Sequence, residues 1–549
     1  MPLAKRKVLV TGCCGLTGRT LVAALLGAGY TVVGADILPR AAGNEALEGR
    51  ALYLTCDVSS ADHVYAVFEK AGPFHAVFHT AAIVPFNLVW SGSAELLRAV
   101  NVEGTRNIVE AASDSAVRHL VFASSSGVAF TGKSDLDLAD ESVTPAGPLN
   151  DEYSQSKADA EKVVLAASSP DKLACVALRP NGIWGPGETH HIPKVMLAAQ
   201  LGGTALAMGH RGRTDFTHAE NLAHAFLLAL RALEGRHPSC SRERVAGQAF
   251  YITDGWRVTT MGFFSPLLAG LGFVSPLHHR VTNSDTGKEI VGFFDEGVKL
   301  SAEDEAKAVL EVAEPRVGVP HALLVAAAHA MVAICWLVEL LTAGAIRLEP
   351  FLTPADCRKL WFHNCFDSSK AKTVLKWRPI VSPALGMREL VAAYRAQGYS
   401  GRVVCPNIAA MAVVLVGMGA LAALALDLGG ALTAALDWAS PWVPARLEVS
   451  VLGAVCRVPV QNLLWAMLQA AVVTHLCEAF FASWLAFELG LFVPGWALMV
   501  SLFGFPAVQA MLSVARTPSP SWLPAAAIAA FVCCGAVYAP GALEQCRAY

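Results

Sequence analysis

Tyr153 and Lys157 stand four apart in "DEYSQSKADAEKVVLAA", a stretch with the periodicity of a long amphipathic helix, so both side chains share one face. A phenol beside an ammonium suits hydride chemistry. Free tyrosine titrates near about 10 and is a weak base at neutral pH, but a neighbouring positive charge stabilises the phenolate. The phenolate can take the proton of a substrate hydroxyl as hydride leaves for a nicotinamide. A serine hydroxyl can hold the same oxygen, and "HLVFASSSGVAF" ends a predicted strand in Ser124, Ser125 and Ser126. A slip of one residue along a strand turns a side chain to the opposite face, so the spacing leaves all three open.

These residues need a scaffold, and the start of the chain predicts one. "KVLVT" is a short apolar, β-branched run suited to a buried parallel strand. Gly12, Gly15 and Gly18 follow, and "LTGRTLVAALLGAG" then shows helical spacing. Between a strand and a helix the three glycines permit the tight turn, the close approach of backbone to a pyrophosphate, and the packing of the helix on its strand. The helix N-terminus presents unpaired amides to the phosphates. "YTVVGADI" predicts a second strand ending in Asp36, whose carboxylate can accept from ribose hydroxyls and repels a 2′-phosphate, favouring NAD over NADP. "ALYLTCDV" ends in Asp57, suited to the adenine edge, and "AVFHTAA" offers the small Ala81 and Ala82 for close cofactor approach. The pattern predicts an α/β fold, a Rossmann-type doubly wound parallel sheet.

T-G-x-x-G-x-x-G, the serine-bearing strand and Tyr-x-x-x-Lys together resemble the extended short-chain dehydrogenase/reductases, and "NVEGTRNIVEAA" is similar to that family's fourth-helix segment. "LRPNGIWGPGETHHIPK" (Leu178–Lys194) and "DFTHAENLAHAFLLAL" (Asp215–Leu230) resemble its 3β-hydroxysteroid dehydrogenase branch, which includes the sterol-4α-carboxylate 3-dehydrogenases. "GQAFYITDGWRVTTMGFFSPLLAGLGF" and "FDSSKAKTVLKWRP" continue the likeness, which runs from residue 5 to 398.

The resemblance implies a small C-terminal substrate lobe, and it implies that Ser125, Tyr153 and Lys157 are catalytic. It implies NAD held by Gly12, Cys14, Gly15, Leu16, Gly18, Asp36, Asp57, Val58, Ala81, Ala82, Asn101, Tyr153, Lys157, Pro180, Gly182 and Ile183. His191, Ile192 and Thr214–Thr217 would face the substrate, with Trp184 reshaping the pocket where Tyr or Phe is common. The implied reaction oxidises the 3β-hydroxyl of a steroid or sterol. A carboxylate on the next carbon would make the product a β-keto acid that loses carbon dioxide unaided. Whether that carboxylate is present stays open. A nucleotide-sugar epimerase or dehydratase shares the fold and Tyr-x-x-x-Lys. The apolar segments and "FDSSKAK" count against it, and the intact Ser, Tyr and Lys count against a non-enzymatic NAD-binding scaffold.

The whole chain has 549 residues, with 42 Lys plus Arg against 45 Asp plus Glu, so no net charge points to nucleic acid. Its residues are 54% hydrophobic and 16% charged, the apolar excess lying after Gly401. "MPLAKRKVLVTG" lacks the apolar core of a signal peptide. Fourteen scattered cysteines, with no Cys-x-x-Cys pair, read as reduced thiols facing the cytosol. His190, His191, His210 and His218 lack an accompanying metal-ligand pattern, and no metal is expected.

The expected divisions are a Rossmann core with substrate-lobe segments over 1–300, the remaining lobe over 301–400, and an all-α membrane domain over 401–549. Pro320–Leu341, interrupted by His329 and stopped by Glu339, predicts an interfacial helix more than a span. Ile408–Leu426 is uncharged and long enough to cross, with further spans expected over Val458–Leu485, Leu491–Val514 and Leu523–Tyr538. His475 and Glu478 would share a face of the second, where ionisable groups are costly. An apolar substrate then meets an enzyme in its own bilayer, by family analogy the endoplasmic reticulum, with the catalytic domain in the cytosol. A helix-mediated homodimer is common for this fold.

Overall fold

Apolar runs and helical periods alternate along the first half of the chain as the spacing predicts. In order they form β1 (Lys7–Thr11), α1 (Leu16–Gly27), β2 (Thr31–Asp36), β3 (Leu52–Thr55), α2 (Ala61–Ala71) and β4 (Ala76–His79). Next come α3 (Ser93–Leu97), α4 (Gly104–Asp114), β5 (His119–Ala123), β6 (Leu136–Ala139), α5 (Glu152–Ala166) and β7 (Ala174–Pro180). β8 (Ile183–Trp184), α6 (Ile192–Gln200), β9 (Arg213–Thr214), β10 (Thr217–His218), α7 (Ala219–Leu233) and β11 (Gln248–Ile252) complete the core. This computed structural model describes residues 6–38, 49–84, 93–169, 171–200, 211–273, 277–295, 298–313, 320–341, 350, 352–399, 446–451 and 454–459.

Seven strands make one parallel sheet in the order β11-β7-β5-β4-β1-β2-β3. α1 and α7 cover one face, where Leu21, Leu25, Leu222 and Phe226 pack on Val8, Val10 and Phe78. α2, α4 and α5 cover the other, where Phe68, Ile108 and Val164 pack on Leu9, Val77 and Phe122. Burial from both sides explains why the strands read as continuous apolar runs rather than alternating ones. Each fully buried large side chain contributes about 1.5–3 kcal/mol. Both strands flanking the crossover between β1 and β4 end at the glycine loop, which is where an open sheet of this kind leaves a crevice.

A second layer follows. β12 (Val258–Thr259), α8 (Thr260–Gly270), β13 (His279–Asn283), α9 (Ala302–Lys307), β14 (Ala308–Val312) and α10 (His321–Leu341) precede α11 (Pro354–Trp361), β15 (Asn364–Phe366), α12 (Ser369–Val374) and α13 (Pro383–Ala396). β12-β9-β15-β6 form a small mixed sheet. A separate apolar cluster joins α6, α8 and α13 through Met196, Phe263, Leu267, Met387 and Leu390. On α10, Leu324, Ala328 and Cys335 pack against Leu352 and Cys357 or lie buried nearby, while Trp336 is 56% exposed. Among the described residues no helix is long and apolar enough to cross a membrane.

The chain divides into two units, Met1–Ile408 and Ala409–Tyr549. Within the second, β16 (Arg446–Val451) pairs antiparallel with β17 (Ala454–Pro459). This corrects the all-α expectation. "RLEVSV" alternates apolar and polar with period two, the pattern of a strand. Val458 and Pro459 therefore belong to a strand. The segments Ile408–Leu426, Leu491–Val514 and Leu523–Tyr538, with His475 and Glu478, lie outside the described residues.

Candidate active site

Gly12 adopts φ +69°, and a Cβ there would meet the Ala81 Cα at 2.6 Å, so the tight turn and the close pass against the chain after β4 both demand glycine. A Cβ on Gly18 would strike the Gly12 carbonyl and would lie 2.7 Å from the Cys13 Cα, because α1 packs directly on the turn. On Gly15 a Cβ would meet only the Gly12 oxygen, at 3.5 Å, leaving its outer side open. That is the cradle a pyrophosphate requires at the start of α1, beside Leu16. Asp36 ends β2 beside it: its Oδ2 accepts from the Cys14 amide at 2.9 Å and its Oδ1 from the Leu38 amide at 3.0 Å. Cys13, Cys14, Asp36, Leu38, Tyr53, Leu54 and Thr55 line a small open pocket there. The residues present fit a dinucleotide.

Other expected cofactor residues take definite places. Asp57 Oδ1 accepts from the Ser59 amide and hydroxyl at 2.9 and 2.7 Å, turning the chain before α2, and Val58 is buried. Ala81 and Ala82 follow β4 and are half-buried. Asn101 is 1% exposed, in a π-helical turn, Arg98–Glu103, that precedes α4. Its side chain bonds the Ile83 amide at 2.8 Å, the Ile83 carbonyl at 3.1 Å and Ser156 Oγ at 3.0 Å, tying the end of β4 to α5. Pro180 ends β7, and Gly182, at φ +48°, turns the chain into Ile183 under the Phe216 ring.

The three serines separate cleanly. Ser124 is buried and donates to Glu161 Oε2 at 2.6 Å, and Ser126 is buried and donates to Asn181 Oδ1 at 2.8 Å. Ser125, between them, is the serine whose hydroxyl acts on the Tyr153 phenol, lowering its pKa against burial. Its Oγ also accepts from the Gly127 amide at 3.1 Å, which caps the following turn. Asp151 N-caps α5 by accepting from the Ser154 amide at 2.8 Å, a bond of about 1 kcal/mol that fixes where Tyr153 sits.

Lys157 departs from expectation. It is 2% exposed, its Nζ donates to the Ala123 carbonyl at 2.5 Å, and it lies 4.3 Å from the centre of the Phe122 ring. Burial lowers its pKa to about 7 against the opposing charge of Glu161. Burial likewise pushes the Tyr153 phenol up to about 12, against the pull of Lys359 and of the Ser125 hydroxyl. Lys359 of α11, paired with Asp151, adds a second cation that lowers the Tyr153 pKa. Desolvation outweighs the simple pairing of phenol with Lys157, since a low-polarity interior disfavours both charged forms. Beneath them the buried His79, its pKa lowered to about 3 by burial, links Thr11 Oγ1 at 2.7 Å to Thr105 Oγ1 at 3.0 Å.

Sequence reasoning missed two groups. Glu161, one turn beyond Lys157, is held in a fork by Arg179 at 2.9 and 2.6 Å and by Ser124, locking α5 onto β5 and β7. Its i+4 spacing from Lys157 was the available signal. Lys359 pairs with Asp151 Oδ2 at 2.9 Å, and its neighbour Arg358 grips Asn150 at 2.7 Å on Oδ1 and 2.8 Å on the carbonyl. The second lobe is thereby clamped onto the cap of the helix that carries Tyr153.

On the substrate side, His191 is exposed just before α6, whose first amides are capped by the buried Glu188 at 2.6–3.0 Å. Thr214 and Thr217 Oγ1 accept from Asn181, so they brace the framework rather than face outward. Trp184 is 2% exposed, donates to Asp254 at 3.0 Å and packs edge-on to Phe263, a core role that corrects its assignment to the pocket. His218 N-caps α7, and His210 lies outside the described residues.

Comparison with known proteins bears on the family of the chain. Residues 9–281 match the model of the 3-beta hydroxysteroid dehydrogenase/isomerase family. A 3beta-hydroxysteroid-dehydrogenase/decarboxylase, isoform 1, of Arabidopsis thaliana is 30% identical over 350 residues, 63% of this chain and 67% of that protein. A decarboxylating sterol-4-alpha-carboxylate 3-dehydrogenase of Schizosaccharomyces pombe is 32% identical, covering 63% and 85%. Among solved structures, that of gox2253 aligns with a TM-score of 0.50 at 19% identity over 72% of this chain and all of that one, a likeness of fold.

Proposed function

Because the chain belongs to the 3-beta hydroxysteroid dehydrogenase/isomerase family, we propose that it oxidises the 3β-hydroxyl of a sterol or steroid, with Ser125, Tyr153 and Lys157 as the catalytic group. It is an NAD-dependent dehydrogenase, and the loop of Gly12, Gly15 and Gly18 with Asp36 would hold the dinucleotide. When bound, NAD supplies the hydride acceptor. The observation that carries the reading is the glycine cradle at the start of α1, where a Cβ on Gly12 or Gly18 would strike backbone while Gly15 stays open, with Asp36 bonded to the Cys14 amide beside it.

Ser125 holds the substrate oxygen, and ionised Tyr153 accepts its proton as the carbon–hydrogen bond breaks. Lys157 keeps its nitrogen on the Ala123 carbonyl one turn along the same face, and Lys359 adds positive potential from the second lobe. Loss of a proton and a hydride leaves a ketone. If the adjacent carbon bears a carboxylate, the carbon–carboxyl bond breaks, its electron pair enters the ketone as an enolate, and water returns a proton to carbon. No decarboxylating residue is needed, and the names of the plant and yeast relatives favour this version.

A substrate dissolved in lipid suits an enzyme held at a bilayer. Ile408–Leu426 and Leu491–Val514 carry no charged residue and supply such a tether. The reading includes an endoplasmic-reticulum membrane, a cytosolic catalytic unit and a homodimer. The test is NADH formation by the full-length protein in detergent on a 4α-carboxysterol, a plain 3β-hydroxysteroid and a nucleotide sugar, with Tyr153→Phe as blank. Reduction with either of the first two supports the reading. Reduction with the nucleotide sugar alone refutes it.

A further inference from the structure

Cys13 and Cys14 occupy the turn between Gly12 and Gly15, where neither thiol has a part in hydride transfer. Both are buried and outside any disulfide. Their Sγ atoms and a carboxylate oxygen of Asp36 all lie within 4.8 Å of one another, the one such cluster of three ligand side chains among the described residues. The same three residues line a small pocket at the end of β2, while Cys13 and Cys14 also pack into the core beside β1 and α1.

The backbone already holds the donors together. Gly12 donates to the Ala35 carbonyl at 2.8 Å, and the Cys14 amide bonds Asp36 at 2.9 Å, so loop and strand cannot drift apart. A tetrahedral zinc ion has bonds of about 2.3 Å to sulfur and about 2.0–2.2 Å to oxygen, which sets its ligand atoms about 3.5–3.8 Å apart. The side chains therefore need to close by no more than about 1.3 Å to reach that geometry. Two thiolates with one carboxylate suit a borderline or soft dication and not magnesium or calcium, which take oxygen donors. Three protein ligands leave the fourth position to water from the pocket.

We infer that Cys13, Cys14 and Asp36 form a site for a thiophilic divalent cation such as Zn²⁺ or Cd²⁺, which excludes NAD by taking the carboxylate that would receive the ribose. Coordination replaces the two thiol protons, which pass to solvent, and occupies the Asp36 lone pairs that otherwise accept from the sugar hydroxyls. The metal is thus an inhibitor set into the cofactor loop. The exclusion rests on reading Asp36 as the ribose ligand.

Full-length protein in detergent, stripped with chelator, is titrated with Cd²⁺ while the thiolate-to-cadmium absorption is followed. One equivalent raises the band, saturation with NAD removes it, and Cys13→Ser with Cys14→Ser abolishes it. In parallel, NADH binding is read by its fluorescence: saturating Zn²⁺ weakens the apparent Kd at least tenfold, EDTA restores it, and Mg²⁺ has no effect. The NAD-protection measurement uses the unaltered chain and so stands even if the double variant fails to fold. A full band in NAD-saturated protein, or one that persists in a folded double variant, overturns the site. NADH binding indifferent to Zn²⁺ overturns the exclusion alone. Failure of NADH to bind metal-free protein overturns it together with the cofactor reading.

Discussion

Lys359 Nζ lies 2.9 Å from Asp151 Oδ2, and Asp151 caps the helix on which Tyr153 is the second residue. This contact does two things. It joins the second lobe to the catalytic helix, and it brings a cation to a phenol whose own helix neighbour, Lys157, is drawn toward neutrality by burial. Positive charge at the site is therefore shared between two elements that are far apart in sequence.

Removing that charge should move the pH profile. Lys359 lowers the Tyr153 pKa against the upward push of burial, and oxidation requires the phenolate. Lys359→Met should thus shift the rising limb of kcat/KM to higher pH by about 0.5–1 unit, a loss of about three- to tenfold at fixed pH below the limb. Lys359→Arg should restore most of it. A profile that does not move would remove Lys359 from this role.

Tyr153→Phe and Ser125→Ala should separate chemistry from binding. The first should lower turnover by about 10²–10⁴-fold and the second by about 10²–10³-fold, with NADH affinity measured by fluorescence nearly unchanged. Ser124→Ala, in contrast, loosens Glu161 and should act on stability first. Equal losses of turnover in Ser124→Ala and Ser125→Ala, without loss of melting temperature, would contradict the assignment.

Asp36→Ala should weaken NAD binding by about 10- to 100-fold, as expected for loss of charge-assisted hydrogen bonds, and lessen discrimination against NADP. Titration of both cofactors checks this. An unchanged preference would show that the ribose lies elsewhere.

Glu234 offers a stability test outside the site. Burial opposes its ionisation, but hydrogen bonds from His75 and Arg6, both at 2.6 Å, hold its pKa at about 2. A carboxylate depressed in the folded state stabilises above its unfolded value and loses that contribution as pH falls toward 2. The depression corresponds to about 3 kcal/mol. Glu234→Gln should lower the melting temperature at pH 7 and flatten its fall between pH 4.5 and 2. Equal melting curves at pH 7 would contradict it.

The glycine loop, the parallel strands and the Tyr153–Lys157 face were legible because each rests on local pattern: a period of two or 3.6, or glycines at a strand end. The choice of Ser125 came from the family resemblance and not from local spacing, and its physical basis lies in Glu161 and Asn181 holding its neighbours, partners 37 and 55 positions away. Lys359 was invisible for the same reason, the adjacent Arg358 contact spanning 208 positions. The depressed pKa of Lys157 was not legible, because spacing shows proximity and not desolvation. At β16 and β17 a search for apolar length passed over a period-two pattern that hydropathy averaging conceals.

The central claim is that hydride leaves carbon 3 as Tyr153 takes the hydroxyl proton. The most direct measurement supplies a 3β-hydroxysteroid or 4α-carboxysterol deuterated at carbon 3 and analyses the reduced cofactor by mass. One deuterium per NADH, absent with Tyr153→Phe, is the predicted result. Unlabelled NADH, or label transfer that survives the substitution, would contradict the account.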